Sequence, residues 1–170
     1  MAFFRKYYES LTAIEKLKIK KLVLNGQLEL LHGGLVSPDE ACGNYSDLLR
    51  NFEEGHRFVA EEFGVVPSVA WQLDPFGHSS AVADLFAEIG FEATFFARMN
   101  LQEKNHRLLE RDLEFVWQPK FVHDHESVSS RRAILAHLLF DHYSPPSIVK
   151  WEWLTGKPKF TYNGSLNRNW

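Results

Sequence analysis

The sequence predicts an α/β fold with parallel strands and helices packed outside them, and three observations carry that expectation. Short apolar runs at Val65 to Leu73, Ala93 to Ala97 and Leu113 to Trp117 have the length and β-branched or aromatic content of buried strands. Segments of helical period separate them, most clearly Tyr45 to Phe63 and Ser79 to Gly90. Polar residues, Asp74 and Arg98, stand just past the first two runs. Such positions at the carboxyl ends of strands are where α/β folds place their working groups.

In chain order, Thr12-Ala-Ile-Glu15 has the form of a capping box, and Ile14, Leu17, Leu22 and Val23 give a patchy helical stripe ended by Asn25-Gly26. Gln27 to Leu31, bounded by glycines, reads as a short strand. The paired Gly33-Gly34 after it lets the backbone pass close to a ligand or a neighbouring strand. Pro38-Asp39-Glu40 opens a polar connection. Tyr45, Leu48, Leu49, Phe52, His56, Val59 and Phe63 recur at three- and four-residue spacing, so an amphipathic helix ends near Gly64.

The next run leads through Trp71-Gln-Leu to Asp74-Pro75-Phe76-Gly77-His78-Ser79. Pro75 keeps Asp74 extended, Gly77 permits the turn, and Ser79 caps a helix through Ala81, Leu85 and Phe86 to Gly90. Residues 100–112 form a partly helical connection, Lys120 to Ser130 a loop, and Arg131 to Leu139 a short helix or strand. Pro145-Pro146 breaks the pattern again, and residues 151–170 are expected to be a poorly defined tail. No internal repeat is present.

Composition narrows the function classes. A chain of 170 residues suits one domain with a sizeable core. A net charge of -3 with interspersed signs gives no case for nucleic acid or an anionic membrane as main partner. No apolar run reaches a membrane span, and the start, Met-Ala-Phe-Phe-Arg-Lys, lacks a signal-type apolar stretch. Cys42 is the single cysteine, so no internal disulfide forms. Asn44-Tyr-Ser46 and Asn163-Gly-Ser165 are glycosylation sequons. Aromatics at 14% fit a phenylalanine-rich core and are also compatible with a carbohydrate site.

Ala70-Trp-Gln-Leu-Asp-Pro-Phe-Gly-His-Ser79 resembles the nucleophile motif of the retaining, zinc-dependent α-mannosidases of glycoside hydrolase family 38, lysosomal type. Asn25-Gly-Gln-Leu-Glu29, Gly33-Gly34 followed by Pro38-Asp-Glu-Ala41, and Phe95-Phe-Ala-Arg98 extend the resemblance in the right order. It is similar over about residues 7–150 and departs where Leu35 replaces a frequent tryptophan.

The resemblance implies a partial (β/α) barrel-like catalytic domain, of which this chain is an internal slice. It makes Asp74 both the nucleophile and a zinc ligand, with Phe76, Arg98 and Tyr143 contacting substrate. His78 is not carried over as a ligand, and a supporting role is expected of it. Asp39 and Glu40 receive no catalytic role, and are expected to stabilise their loop. His123-Asp124-His125 and the group His137, Asp141 and His142 are read as a solvated loop and as a face or turn, since adjacent residues do not easily converge on one tetrahedral ion.

The early His-x-Asp pair of the family has no match before Asp74, and the later histidine ligand and acid/base carboxylate have none in this chain. A double displacement needs two carboxyl groups. The chain alone is therefore expected to lack efficient turnover, its partners being an α-mannoside or N-glycan and the remainder of the catalytic domain. The alternative is a non-catalytic relic or carbohydrate-binding module of the same family. A zinc-dependent polysaccharide deacetylase is a third reading, which the Asp-Pro-Phe-Gly-His motif argues against. A lysosomal or vacuolar setting follows from the resemblance, a cytoplasmic one from the start of the chain as given.

Overall fold

The computed structural model describes residues 1–41, 44–119 and 133–142, and the backbone of residues 149–152 and 159–162. Two helices open the chain, α1 (Ala2–Glu9) and α2 (Ala13–Leu24). The Thr12 hydroxyl accepts from the Glu15 N–H, and the Glu15 carboxylate returns a bond to the Thr12 N–H at 2.9 Å, so the capping box forms as read. The sequence reading did not find α1. Helix α3 (Tyr45–Phe63) runs from an Asn44 cap to Gly64, as its periodicity requires. Its stripe buries Phe52, Val59 and Phe63, while Tyr45 at the first turn stays exposed.

A four-stranded sheet in the order β1-β2-β4-β3 forms the centre: β1 (Val69–Trp71), β2 (Ala93–Phe96), β3 (Glu114–Trp117) and β4 (Ile134–Leu138). Helix α4 (Ser80–Ile89) links β1 to β2 and α5 (Leu101–Glu110) links β2 to β3. Strands β1, β2 and β4 run parallel, whereas β3 pairs antiparallel with β4. Leu113 to Trp117 is thus a strand as expected, but not in the parallel sense that its place after a helix suggested. Strand β4 enters between β2 and β3, and an apolar run does not encode which neighbour it meets or in which direction. The backbones of β5 (Val149–Glu152) and β6 (Lys159–Tyr162) form a separate antiparallel pair, in a stretch without a clean period. Among the described residues no helix is long and apolar enough to cross a membrane.

Gln27 to Leu31 is not a strand, which corrects the sequence reading. The N–H groups of Gln27 and Leu28 are spent on the Leu22 carbonyl, at 2.9 and 3.1 Å, closing the end of α2. The segment meets β1 only at its end, where the His32 N–H donates to Val69 O at 2.7 Å. His32 sits at φ +63°, so its backbone leaves the ladder, and its Nδ1 accepts the next bond from the Trp71 N–H at 3.2 Å. A side chain therefore finishes the edge of β1 in place of a strand.

One face of the sheet is dry. Ala70, Thr94 and Ala136 lie in one row, and Phe96 and Leu138 follow two residues along. Phe52 from α3 and Val82, Ala83 and Phe86 from α4 close over Ala70 and Ile134. The other face carries Trp71, Leu135 and Val116, all exposed. Helices cover one side only among the described residues. A second cluster, Tyr8, Val23, Phe58, Val59 and Phe63, joins α1 and α2 to the C-terminal half of α3.

The paired glycines serve packing. Gly55 of α3 lies against the Gly33 carbonyl so closely that a Cβ there would overlap it, and a Cβ on Gly34 would stand 2.6 Å from Asn51 Nδ2. The element that passes close is a helix, where the sequence reading had a ligand or a strand. Gly55→Ala forces backbone apart and should cost about 3 kcal/mol, the upper part of the range for overpacking. A lowered urea midpoint measures it, and an unchanged midpoint would mean that α3 does not rest on this turn.

His32 is buried against Phe52, Phe86 and Phe91. Burial first, then the positive charges of the amino terminus and His56, push its imidazole down to about 4. Between the unfolded value of about 6.5 and this folded value, the unfolded chain binds one more proton. Stability tied to His32 is therefore intact above that window and lost as pH falls through it, by about 3 kcal/mol in all. Denaturant melts of the wild type and His32→Asn between about pH 6.5 and pH 5 should differ in slope by that proton. Parallel pH dependences would reject the assignment.

Candidate active site

Strand β1 delivers Asp74 and β2 delivers Arg98. The parallel register pairs each β1 residue with the one 24 later: Val69 with Ala93 and Trp71 with Phe95. Backbone bonds continue beyond the strands, from the Gln72 N–H to Phe95 O at 2.8 Å and from the Ala97 N–H to Leu73 O at 3.3 Å. The same offset sets Asp74 level with Arg98, whose Nε donates to Asp74 Oδ1. Asp74 keeps 58% of its side chain in contact with solvent.

A hollow of 340 Å³ opens beside it. Pro38 and Asp39 line it together with Trp71, Gln72, Asp74 and Phe76. Phe76 is 74% exposed, an aromatic face presented to whatever occupies the hollow. Gly77 at φ +145°, outside the range that L side chains adopt readily, turns the chain after it. Ser79 then accepts from the Ala81 N–H and starts α4, as predicted.

His78 does not line this hollow but an adjoining one, with Glu40, Phe76 and Ser79. Its Nδ1 lies 3.1 Å from Glu40 Oε1 and its Nε2 lies 2.9 Å from the Arg98 carbonyl oxygen. Glu40 is buried, and its Oε2 accepts from the Ser79 N–H at 2.7 Å. Gln72, also buried, donates from Nε2 to the Pro38 carbonyl at 2.9 Å. These contacts tie residues 38–40 to the Asp74 turn. The sequence reading assigned no role to Gln72. Its signal was a carboxamide placed between two apolar residues of a buried run. Glu40 does stabilise its loop, as expected, but through the turn that follows Asp74.

Tyr143, His123, Asp124, His125 and Cys42 lie outside the described residues. His137 projects from the open sheet face, with Nδ1 2.7 Å from Glu114 Oε1, and Asp141 and His142 lie in the turn after β4. Among the described residues no three His, Cys, Asp or Glu side chains converge. A catalytic zinc takes about three protein ligands, and Asp74 offers one carboxylate, with one oxygen engaged by Arg98. The described residues therefore do not by themselves fit a zinc ion.

Two comparisons agree on ancestry. The model of the glycosyl hydrolases family 38 N-terminal domain matches residues 1–169. An α-mannosidase of Arabidopsis thaliana is 43% identical over 86% of this chain and 14% of its own length. The α-mannosidase of Canavalia ensiformis is 38% identical over 89% of the chain and 15% of its own length. The lysosomal α-mannosidase of Cavia porcellus is 35% identical over 93% and 16%. The chain thus spans about a seventh of the length of these relatives. With a strand-end carboxylate paired to an arginine beside an aromatic-walled hollow, and with the family match running almost end to end, the chain belongs to glycosyl hydrolase family 38, in its N-terminal domain.

Proposed function

We propose that this chain carries the nucleophile segment of a retaining α-mannosidase acting on α-linked mannose of oligosaccharides or N-glycans. The observation that supports the reading is the exposed Asp74 carboxylate at the exit of β1, held by Arg98 and facing the hollow that Phe76 walls. In that role the free oxygen of Asp74 attacks the anomeric carbon and forms a glycosyl ester, which water then hydrolyses. Arg98 neutralises the carboxylate and fixes its rotamer, so that one oxygen faces the sugar. Phe76 supplies an apolar face against which a sugar ring rests. Tyr143 belongs to the reading as a further substrate contact.

Two requirements lie beyond the described residues. A second carboxyl group must protonate the leaving oxygen, and zinc enters only with further ligands beside Asp74. The whole of 1–170 then forms part of a larger catalytic domain. The parallel strands β1, β2 and β4 would be a sector of a (β/α) barrel. Lysosomal relatives support a lysosomal or vacuolar setting. The absence of a converging ligand group among the described residues favours one second reading, a carbohydrate-binding or relic domain that keeps the loop without turnover.

Turnover of a chromogenic α-mannoside separates them. The chain alone, with zinc added, is expected to show none. Placed in the Canavalia ensiformis enzyme in exchange for the matching segment, it should support hydrolysis. Asp74→Asn in that chimera should lower kcat by roughly a thousandfold or more, as loss of a nucleophile does. A chimera that folds but works equally well with Asp74→Asn would sink the nucleophile assignment. One that folds, binds mannose and never turns over would favour the binding-module reading.

A further inference from the structure

His78 faces two acceptors. A neutral imidazole has one N–H donor and one bare nitrogen. Here Nε2 meets the carbonyl oxygen of Arg98 at 2.9 Å, and a carbonyl oxygen only accepts. Nδ1 meets Glu40 Oε1 at 3.1 Å, and a carboxylate likewise only accepts. Both contacts are hydrogen bonds only when the ring carries both protons, with Glu40 as the counter-charge. The surroundings of Glu40 suit an anion: its side chain is 4% exposed, its Oε2 receives the Ser79 N–H, and Gln72 Nε2 approaches Oε1 at 3.5 Å. A carboxylate so far from water needs a partner charge. The ionisable group that meets the ring is Glu40, while β2 and β3 present Phe96 and Trp117, with ring centroids at 4.6 and 6.2 Å.

We propose that the buried Glu40 carboxylate and the half-buried His78 imidazolium form an ion pair that pins the main chain of Arg98 and thereby positions the Arg98 guanidinium on Asp74. The chain of contacts closes on itself. Glu40 holds His78 and the Ser79 N–H, His78 holds the Arg98 carbonyl, and the Arg98 side chain returns to Asp74, four residues before His78. His78 and Glu40 are positioning residues, since neither lies against Asp74 itself. Burial lowers the imidazole pKa, but the hydrogen bond and charge of Glu40, with the Arg98 carbonyl, outweigh it and the net shift is upward. The charged ring therefore persists to higher pH than an ordinary histidine, and the clamp loosens as pH rises through that higher value. Its bearing on catalysis rests on the role of Asp74 proposed above; the clamp itself does not.

Nitrogen NMR of the whole chain with labelled histidine and arginine tests it without any turnover assay. At about pH 6.5, the ordinary histidine midpoint, both ring nitrogens of His78 should report N–H in more than half of the molecules. The Arg98 Nε–H resonance should move in step with His78 when the ring finally titrates. In Glu40→Gln the His78 midpoint should fall by at least about one unit, a tenfold weaker proton affinity. A His78 midpoint at or below about 6.5 overturns the pair, whether or not the Glu40 variant folds. An Arg98 signal that ignores His78 titration overturns the positioning role. Either result can be told from failure of the mannosidase reading, which the Asp74→Asn chimera decides separately.

Discussion

The parallel register of β1 and β2 is the constraint on which the site depends. An offset of 24 residues, held by main-chain bonds, brings Asp74 and Arg98 out of the sheet side by side. The ion pair between them does not hold the fold. Both side chains are substantially exposed, and surface pairs contribute at most about 1 kcal/mol. Backbone pairing places the two residues, and the dry face behind it, with Phe52, Val82, Ala83 and Phe86 over Ala70 and Ile134, keeps the strands in place. A slip by one residue would exchange the buried and open faces of the sheet and separate the pair.

Polar side chains occupy positions where a generic core would be apolar. His32 completes the edge of β1, Gln72 ties β1 to Pro38, and Glu40 ties residues 38–40 to the turn after Asp74. Each carries a cost. His32 Nε2 and Gln72 Oε1 are buried without a partner, and such orphans cost roughly 1–3 kcal/mol each. Both groups stand against β1, while a third buried atom without a partner, Tyr8 Oη, lies in the cluster of α1, α2 and α3. Stability is given up at β1 in return for a fixed backbone beneath an exposed carboxylate.

The packing of α3 shows a related economy. Gly55 lets α3 lie against the Gly33 carbonyl, and Gly33 and Gly34 leave room for His56, Pro67 and Asn51, which seats the start of residues 34–41 on α3. From there Glu40 reaches under the Asp74 turn, and Pro38 and Asp39 reach the side of the hollow. A methyl group at Gly55 is thus coupled to the site although it lies in a helix remote from Asp74 in sequence.

What the sequence by itself determined is local. Periodicity marked α3, the Thr12 and Ser79 caps marked helix starts, and the letters from Val69 to Ser79 spelled a strand, a turn and a cap, because propensity, capping and turn chemistry act within a few residues. Family ancestry was legible for the same reason, in blocks of adjacent letters. Tertiary structure alone decided that Gln27 to Leu31 spends its N–H groups on α2, that β3 runs against β4, and that His78 turns toward Glu40, 38 residues earlier. Those outcomes depend on which distant backbone donor or buried charge finds which acceptor, and no window of neighbouring residues contains both partners.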